Sequence, residues 1–118
     1  MKPEIKEIYV AALRSGDYEQ GHGVLRNNAN CFCVLGVLCD LCVKAHPESS
    51  GCYDGEDGTY FGRMAALPLT VGIWAGIDSG TNEFGPSVLY SGEYSDLAAH
   101  NDDGVTFSQL ADAIEAQL

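Results

Sequence analysis

In the run Cys31-Phe32-Cys33-Val34-Leu35-Gly36-Val37-Leu38-Cys39-Asp40-Leu41-Cys42-Val43-Lys44, apolar side chains occupy almost every position, so the segment has no polar face for water and is expected to be buried on most sides. It is much longer than the roughly 5–6 residues of a typical strand, which predicts a helix at the centre of the molecule. Its valines are β-branched and pull the other way.

Upstream, residues 3 to 15 predict an amphipathic helix: Ile5, Ile8, Tyr9, Ala12 and Leu13 recur at helical spacing, Pro3 suits the first turn, and Gly16 stops it. Residues 16 to 30 are rich in glycine, asparagine and other polar residues and predict a loop with room for one short extended piece. Downstream, Asp54-Gly55 and Asp57-Gly58 are turn dipeptides, and Tyr53 is expected to pair with Tyr60-Phe61 in a short hairpin.

Leu67-Pro68 opens another helix with Val71, Trp74 and Ala75 on one face, ended by Gly76. Residues 78 to 86 predict loop, and Ser87-Val88-Leu89-Tyr90 a short strand. Ser95 is the expected cap of a brief helix towards His100, and Asn101-Asp102-Asp103-Gly104 the turn after it. Thr106 with Gln109 forms a capping box before Phe107, Leu110, Ala111, Ile114 and Leu118 at helical spacing. The expectation is a single α+β domain over 1–118, helix-rich with about four helices and a small antiparallel hairpin or sheet.

With 118 residues and 46% hydrophobic content, one such domain needs no covalent staple. No apolar run approaches the ~20 residues of a membrane-spanning helix, and the N-terminal residues lack the apolar core of a signal peptide. A cytosolic setting is expected, with the five cysteines as reduced thiols.

Three groupings bear on chemistry. Cys39, Cys42 and His46, with Cys52 folding back, have spacing reminiscent of a zinc site. On one helix, however, the first three spread over about 10 Å, and cysteines in an apolar helix are ordinarily small buried hydrophobes, which is the preferred reading. His100 beside Asp102 and Asp103 suits a metal or general-base site, but turn chemistry explains the same residues.

Arg14, His22 and Arg26 flank a Gly21-His22-Gly23 loop and are candidate contacts for a phosphate-bearing ligand such as a nucleotide signal, with solvated loop charge as the plainer account. No phosphate-binding loop, dinucleotide fingerprint or nucleophile elbow is present, so neither catalytic residues nor a cofactor are expected.

The charge is lopsided. Residues 1 to 63 carry nine acids and six bases, whereas residues 64 to 118 carry eight acids (Asp78, Glu83, Glu93, Asp96, Asp102, Asp103, Asp112, Glu115) and no base. Such a half projects a negative field that repels nucleic acid and attracts basic grooves built to hold phosphates.

Several segments taken together, Ala12-Leu13-Arg14-Ser15-Gly16-Asp17-Tyr18-x-Gln20-Gly21, Leu25-Arg26, Cys33-x-Leu35-Gly36-Val37-Leu38-Cys39-Asp40-Leu41, Leu67-Pro68-x-x-Val71-x-x-Trp74-x-Gly76 and Leu97-Ala98-x-x-Asn101-Asp102-x-Gly104-x-x-Phe107-x-x-x-Ala111-Asp112-x-Ile114-Glu115, resemble a family of small acidic bacteriophage and prophage proteins. The resemblance implies viral origin, and by analogy an anti-CRISPR protein acting as a DNA mimic in the cytoplasm of an infected bacterium. The expected partner is the basic nucleic-acid-binding surface of a CRISPR–Cas effector. Asp78, Glu83, Glu93, Asp96, Asp102 and Asp103 are the expected contacts, because they fall in predicted loops and turns of the base-free half.

Overall fold

Helix α1 (Pro3–Ser15) starts where proline's missing N–H costs nothing and ends at Gly16, whose φ of 78° gives the left-handed cap expected of it. The structure, a computed structural model, describes residues 1–77 and 83–118. After α1 come strands β1 (Glu19–Gln20) and β2 (Cys31–Phe32), helix α2 (Val34–Ala45), a 3₁₀ turn (Pro47–Cys52) and strands β3 (Tyr53–Asp54) and β4 (Thr59–Tyr60). Helix α3 (Leu69–Ala75), strands β5 (Ser87–Tyr90) and β6 (Glu93–Asp96), and helices α4 (Leu97–Asp102) and α5 (Phe107–Gln117) complete the order. The fold is α+β, as expected.

The apolar run is the centre of the molecule, but it is not helical throughout. Cys31 and Phe32 form a strand parallel to β1, with Glu19 opposite Cys31 and Gln20 opposite Phe32. The helix begins only after Cys33, whose sulfur accepts the Gly36 N–H at 3.4 Å and so does for α2 what a serine hydroxyl does at an ordinary N-cap. From Val34 to Cys39 every residue is buried, and α1, α3 and α4 pack around them.

Tyr9, fully buried on α1, donates its hydroxyl to the Val34 carbonyl at 2.6 Å and ties the first helix to the start of α2. Gly36 lies directly against the Leu25 backbone: a Cβ there would stand 1.8 Å from the Leu25 carbonyl oxygen. That contact is what lets the 21–26 segment run across α2.

The predicted hairpin forms as β3 and β4, with Tyr53 opposite Tyr60. A second antiparallel pair was only half anticipated: β5 is the expected strand, but residues 93–96 form its partner β6, and Asp96 rather than Ser95 caps α4, accepting the Ala99 N–H at 2.8 Å. The capping box of Thr106 and Gln109 is present in both directions. Segment 83–103 is therefore not a set of loops hung on a core elsewhere, since Val88, Leu97, His100 and Asn101 are all buried within it.

Candidate functional site

Among the described acidic candidates, Glu83, Glu93, Asp102 and Asp103 stand exposed and Asp96 is half-buried. Asp96 and Asp102 have structural work: Asp96 caps α4, and Asp102 accepts the Gly23 N–H at 3.0 Å. Asp78 lies outside the described residues. Of the other two carboxylates in the base-free half, Asp112 and Glu115 on α5 hold Arg14 of α1 at 2.6 and 2.5 Å.

Three of the six cations, Arg14, Lys44 and Arg26, are held by groups of the protein itself. Lys44 bonds Asp40 at 3.0 Å and the Tyr18 hydroxyl at 3.1 Å. Arg26 lies over the Phe32 and Tyr53 rings, 4.9 and 4.3 Å from their centroids, and reaches Asn30 and the Tyr60 hydroxyl. Cation–π contacts of this kind hold a guanidinium flat and leave it little freedom to reach a ligand.

Arg14, His22 and Arg26 are consequently not brought together as a phosphate cradle. Arg14 is held by α5, Arg26 is stacked on Phe32 and Tyr53, and His22 is exposed between them in sequence. The Gly23 amide, the group in the glycine loop suited to a phosphate, already meets the Asp102 carboxylate.

The cysteines do not assemble as a metal centre. Among the described residues, no three or more His, Cys, Asp or Glu side chains stand together as they would need to in order to hold an ion. His46 bonds the Cys42 carbonyl through Nδ1 at 2.8 Å, and its distance to the Cys42 sulfur is 4.0 Å. Burial pushes the Cys42 thiol up to about 11 and raises Cys39 well above its ordinary value, so both are protonated at neutral pH. Cys39 is wholly buried.

His100 and Asn101 are buried, which turn chemistry did not anticipate. His100 Nε2 meets the Val88 carbonyl at 2.9 Å. Asn101 donates to the Gly21 carbonyl at 2.9 Å and accepts from the Val34 N–H at 3.1 Å and the Gln20 amide at 2.8 Å. Gln20 in turn reaches the Val105 carbonyl and the Phe107 N–H, so a single amide pair binds β1, the start of α2 and both ends of the α4–α5 connection.

A second polar cluster that the sequence did not reveal centres on Asp40, which accepts from the hydroxyls of Tyr18 at 2.5 Å and Tyr60 at 3.2 Å as well as from Lys44. Its members satisfy one another, as a half-buried network must.

These burials give the protein an alkaline limit. Burial raises the tyrosine hydroxyls of Tyr9 and Tyr60 and the thiols of Cys33, Cys39 and Cys42 above their ordinary 10.0 and 9.0. Above those ordinary values the unfolded chain gives up protons that the native state keeps, so stability falls as pH rises. Urea midpoints are expected to decline steadily from about pH 9 upward, and a midpoint that holds to pH 11 contradicts the burial of these groups.

Open grooves lie among the described residues. One of about 380 Å³ runs between α1 and α5 and is lined by Lys6, Val10, Arg14 and Glu115 among others. A smaller one of about 180 Å³ is lined by Cys42, His46, Phe61, Thr70, Ile73 and Trp74. The first is crossed by the Arg14–Glu115 pair, and the second is apolar apart from His46 and Thr70. Neither gathers an acid, a base and a nucleophile in catalytic order.

Fold and surface together define a small acidic α+β protein whose polar clusters are turned to holding its own segments together. It belongs to the family described as Domain of unknown function (DUF8296), which matches it over residues 1–118. No curated protein and no solved structure matches the chain. Among the described residues no helix is long and apolar enough to cross a membrane.

Proposed function

We propose that the protein is a phage-encoded anti-CRISPR protein that binds the basic nucleic-acid groove of a CRISPR–Cas effector in the cytoplasm of the infected bacterium, as an acidic DNA mimic. The observation that carries this reading is the eight acids and no base of residues 64–118. The internal pairing of Arg14, Arg26 and Lys44 supports it, because those cations are held by groups of the protein itself. Grooves lined with lysine and arginine to take phosphates are the surfaces that such a field attracts.

The contacts divide into two kinds. Glu83, Glu93 and Asp103 are exposed and act through charge, whereas Asp96 and Asp102 also hold the fold and are poor sites for testing charge alone. Binding of a panel of guide-loaded effectors is therefore measured with the wild type and with a Glu83→Lys, Glu93→Lys, Asp103→Lys variant. At least one effector is expected to bind the wild type, to lose most of that affinity in the variant, and to lose it again at about 0.5 M salt, where exposed charges are screened within a few ångströms. Affinity that survives both changes rules out mimicry by charge.

A further inference from the structure

The β5–β6 hairpin has two edges, and one of them already shows how it is recognised. Tyr90 pairs with Glu93 across a two-residue turn, Ser91-Gly92, with φ values of 51° and 81°. That register makes Tyr90–Glu93 a hydrogen-bonded pair and Leu89–Tyr94 a non-hydrogen-bonded one, so the N–H and C=O of Leu89 and Tyr94 point away from the hairpin on opposite sides. At Leu89 the outward groups are taken by Gln117 of α5: its Oε1 accepts the Leu89 N–H at 2.7 Å and its Nε2 donates to the Leu89 carbonyl at 2.8 Å. A side-chain amide there imitates a neighbouring strand.

Among the described residues the same pair of groups at Tyr94 has no such imitation, and no strand other than β5 lies beside β6. Asp96, two residues on, is in the same register and also turns its N–H outward. The edge thus offers donor, acceptor and donor in sequence. Tyr94 is 72% exposed and its cross-strand neighbour Leu89 54%, so this face of the hairpin presents an aromatic and an aliphatic side chain to solvent. Glu93 and Asp96 flank Tyr94, and Asp102 and Asp103 follow at the far end of the six-residue α4.

An open edge between carboxylates selects its occupant by charge. We propose that the outer edge of β6 is a docking strand that takes up an extended, lysine- or arginine-bearing segment of a partner protein by β-augmentation. The inference rests on the reading of this protein as a binder of basic protein surfaces and specifies how it grips one. Main-chain pairing at Tyr94 and Asp96 supplies the register, Tyr94 and Leu89 the apolar contact, and Glu93 with its neighbours the preference for basic side chains. A second copy of the chain is a poorer occupant, because a protein of net charge −11 would pair acidic edge with acidic edge.

The outward direction of the Tyr94 N–H makes a clean test, since proline at such a position removes no bond within the hairpin. The probe is a fluorescent synthetic peptide that alternates lysine with valine and threonine, titrated by anisotropy against wild type, Tyr94→Ala and Tyr94→Pro, each first checked by circular dichroism. Amide exchange of the wild-type protein is followed by NMR with and without the peptide. Slowed exchange at Tyr94 and Asp96 is expected, with binding about tenfold weaker in Tyr94→Pro and much less affected in Tyr94→Ala.

Equal affinity of the proline and alanine variants, with exchange at Tyr94 unchanged, overturns the edge while leaving charge-driven binding intact. No binding of the peptide by the wild type overturns both the edge and the reading beneath it. Protection at Tyr94 that rises with protein concentration alone makes a second copy the occupant and also overturns the proposal. If Tyr94→Pro does not fold, the wild-type exchange measurement decides by itself.

Discussion

Gly36→Ala is expected to unfold the protein or to lower its stability by at least about 3 kcal/mol, the reverse of the usual helix-interior change, in which alanine is favoured over glycine by about 1 kcal/mol. The reason is backbone, not side chain. The new Cβ would lie 1.8 Å from the Leu25 carbonyl oxygen and 2.7 Å from its carbon. Leu25 cannot step aside, because its carbonyl accepts the Cys33 N–H at 3.2 Å, its N–H donates to Met64 at 2.8 Å, and its side chain is wholly buried. Urea unfolding followed by circular dichroism measures the change. A Gly36→Ala protein as stable as the wild type would mean that the 21–26 segment does not cross α2 here.

Asn101→Ala is expected to cost about 4 kcal/mol, since it leaves the buried Val34 N–H and Gly21 carbonyl without partners and each orphaned group costs about 1–3 kcal/mol. The Gln20 amide keeps the Val105 carbonyl and is the lesser loss. Because Asn101 joins β1, α2 and α4, the damage is shared: amide exchange should quicken at Val34 and through the glycine loop, not at α4 alone. Chemical denaturation with exchange by NMR tests this, and a loss below about 1 kcal/mol contradicts the buried network.

What could be read in the sequence was whatever repeats or caps locally. The period of Ile5, Ile8, Tyr9, Ala12 and Leu13, the Thr106–Gln109 box and the Asp-Gly turns each carry their signal within a few residues, and α1, α5 and the β3–β4 hairpin follow from them. The Cys31–Phe32 strand was hidden because two strand residues inside an apolar run look like the start of a helix, and cysteine is an uncommon cap. Ser95 and Asp96 are both cap residues. The choice between them is made by the Ser91-Gly92 turn, which carries β6 through to Asp96.

The polar sites were less legible, for a physical reason. Asn101 and Asp102 have the composition of a turn, and their partners Val34, Gly21 and Gly23 lie far away in the chain, so no local pattern reports them. The carboxylates of the base-free half could be counted but not sorted. Only the fold separates Asp96 and Asp102, whose carboxylates hold backbone N–H groups, from the exposed Glu83, Glu93 and Asp103. Likewise Arg14 and Arg26 read as candidate phosphate contacts until their partners Asp112, Glu115, Phe32 and Tyr53 are seen.

If the acidic half occupies a groove meant for phosphates, as proposed, the protein and target DNA exclude one another. The most direct measurement is a competition: a guide-loaded CRISPR–Cas effector that binds the protein is titrated with labelled target DNA in its absence and presence, at low salt. DNA binding is expected to weaken in proportion to the protein added, and the Glu83→Lys, Glu93→Lys, Asp103→Lys variant to leave it unchanged. Formation of a ternary complex of effector, DNA and protein, with DNA affinity unaltered, would contradict it.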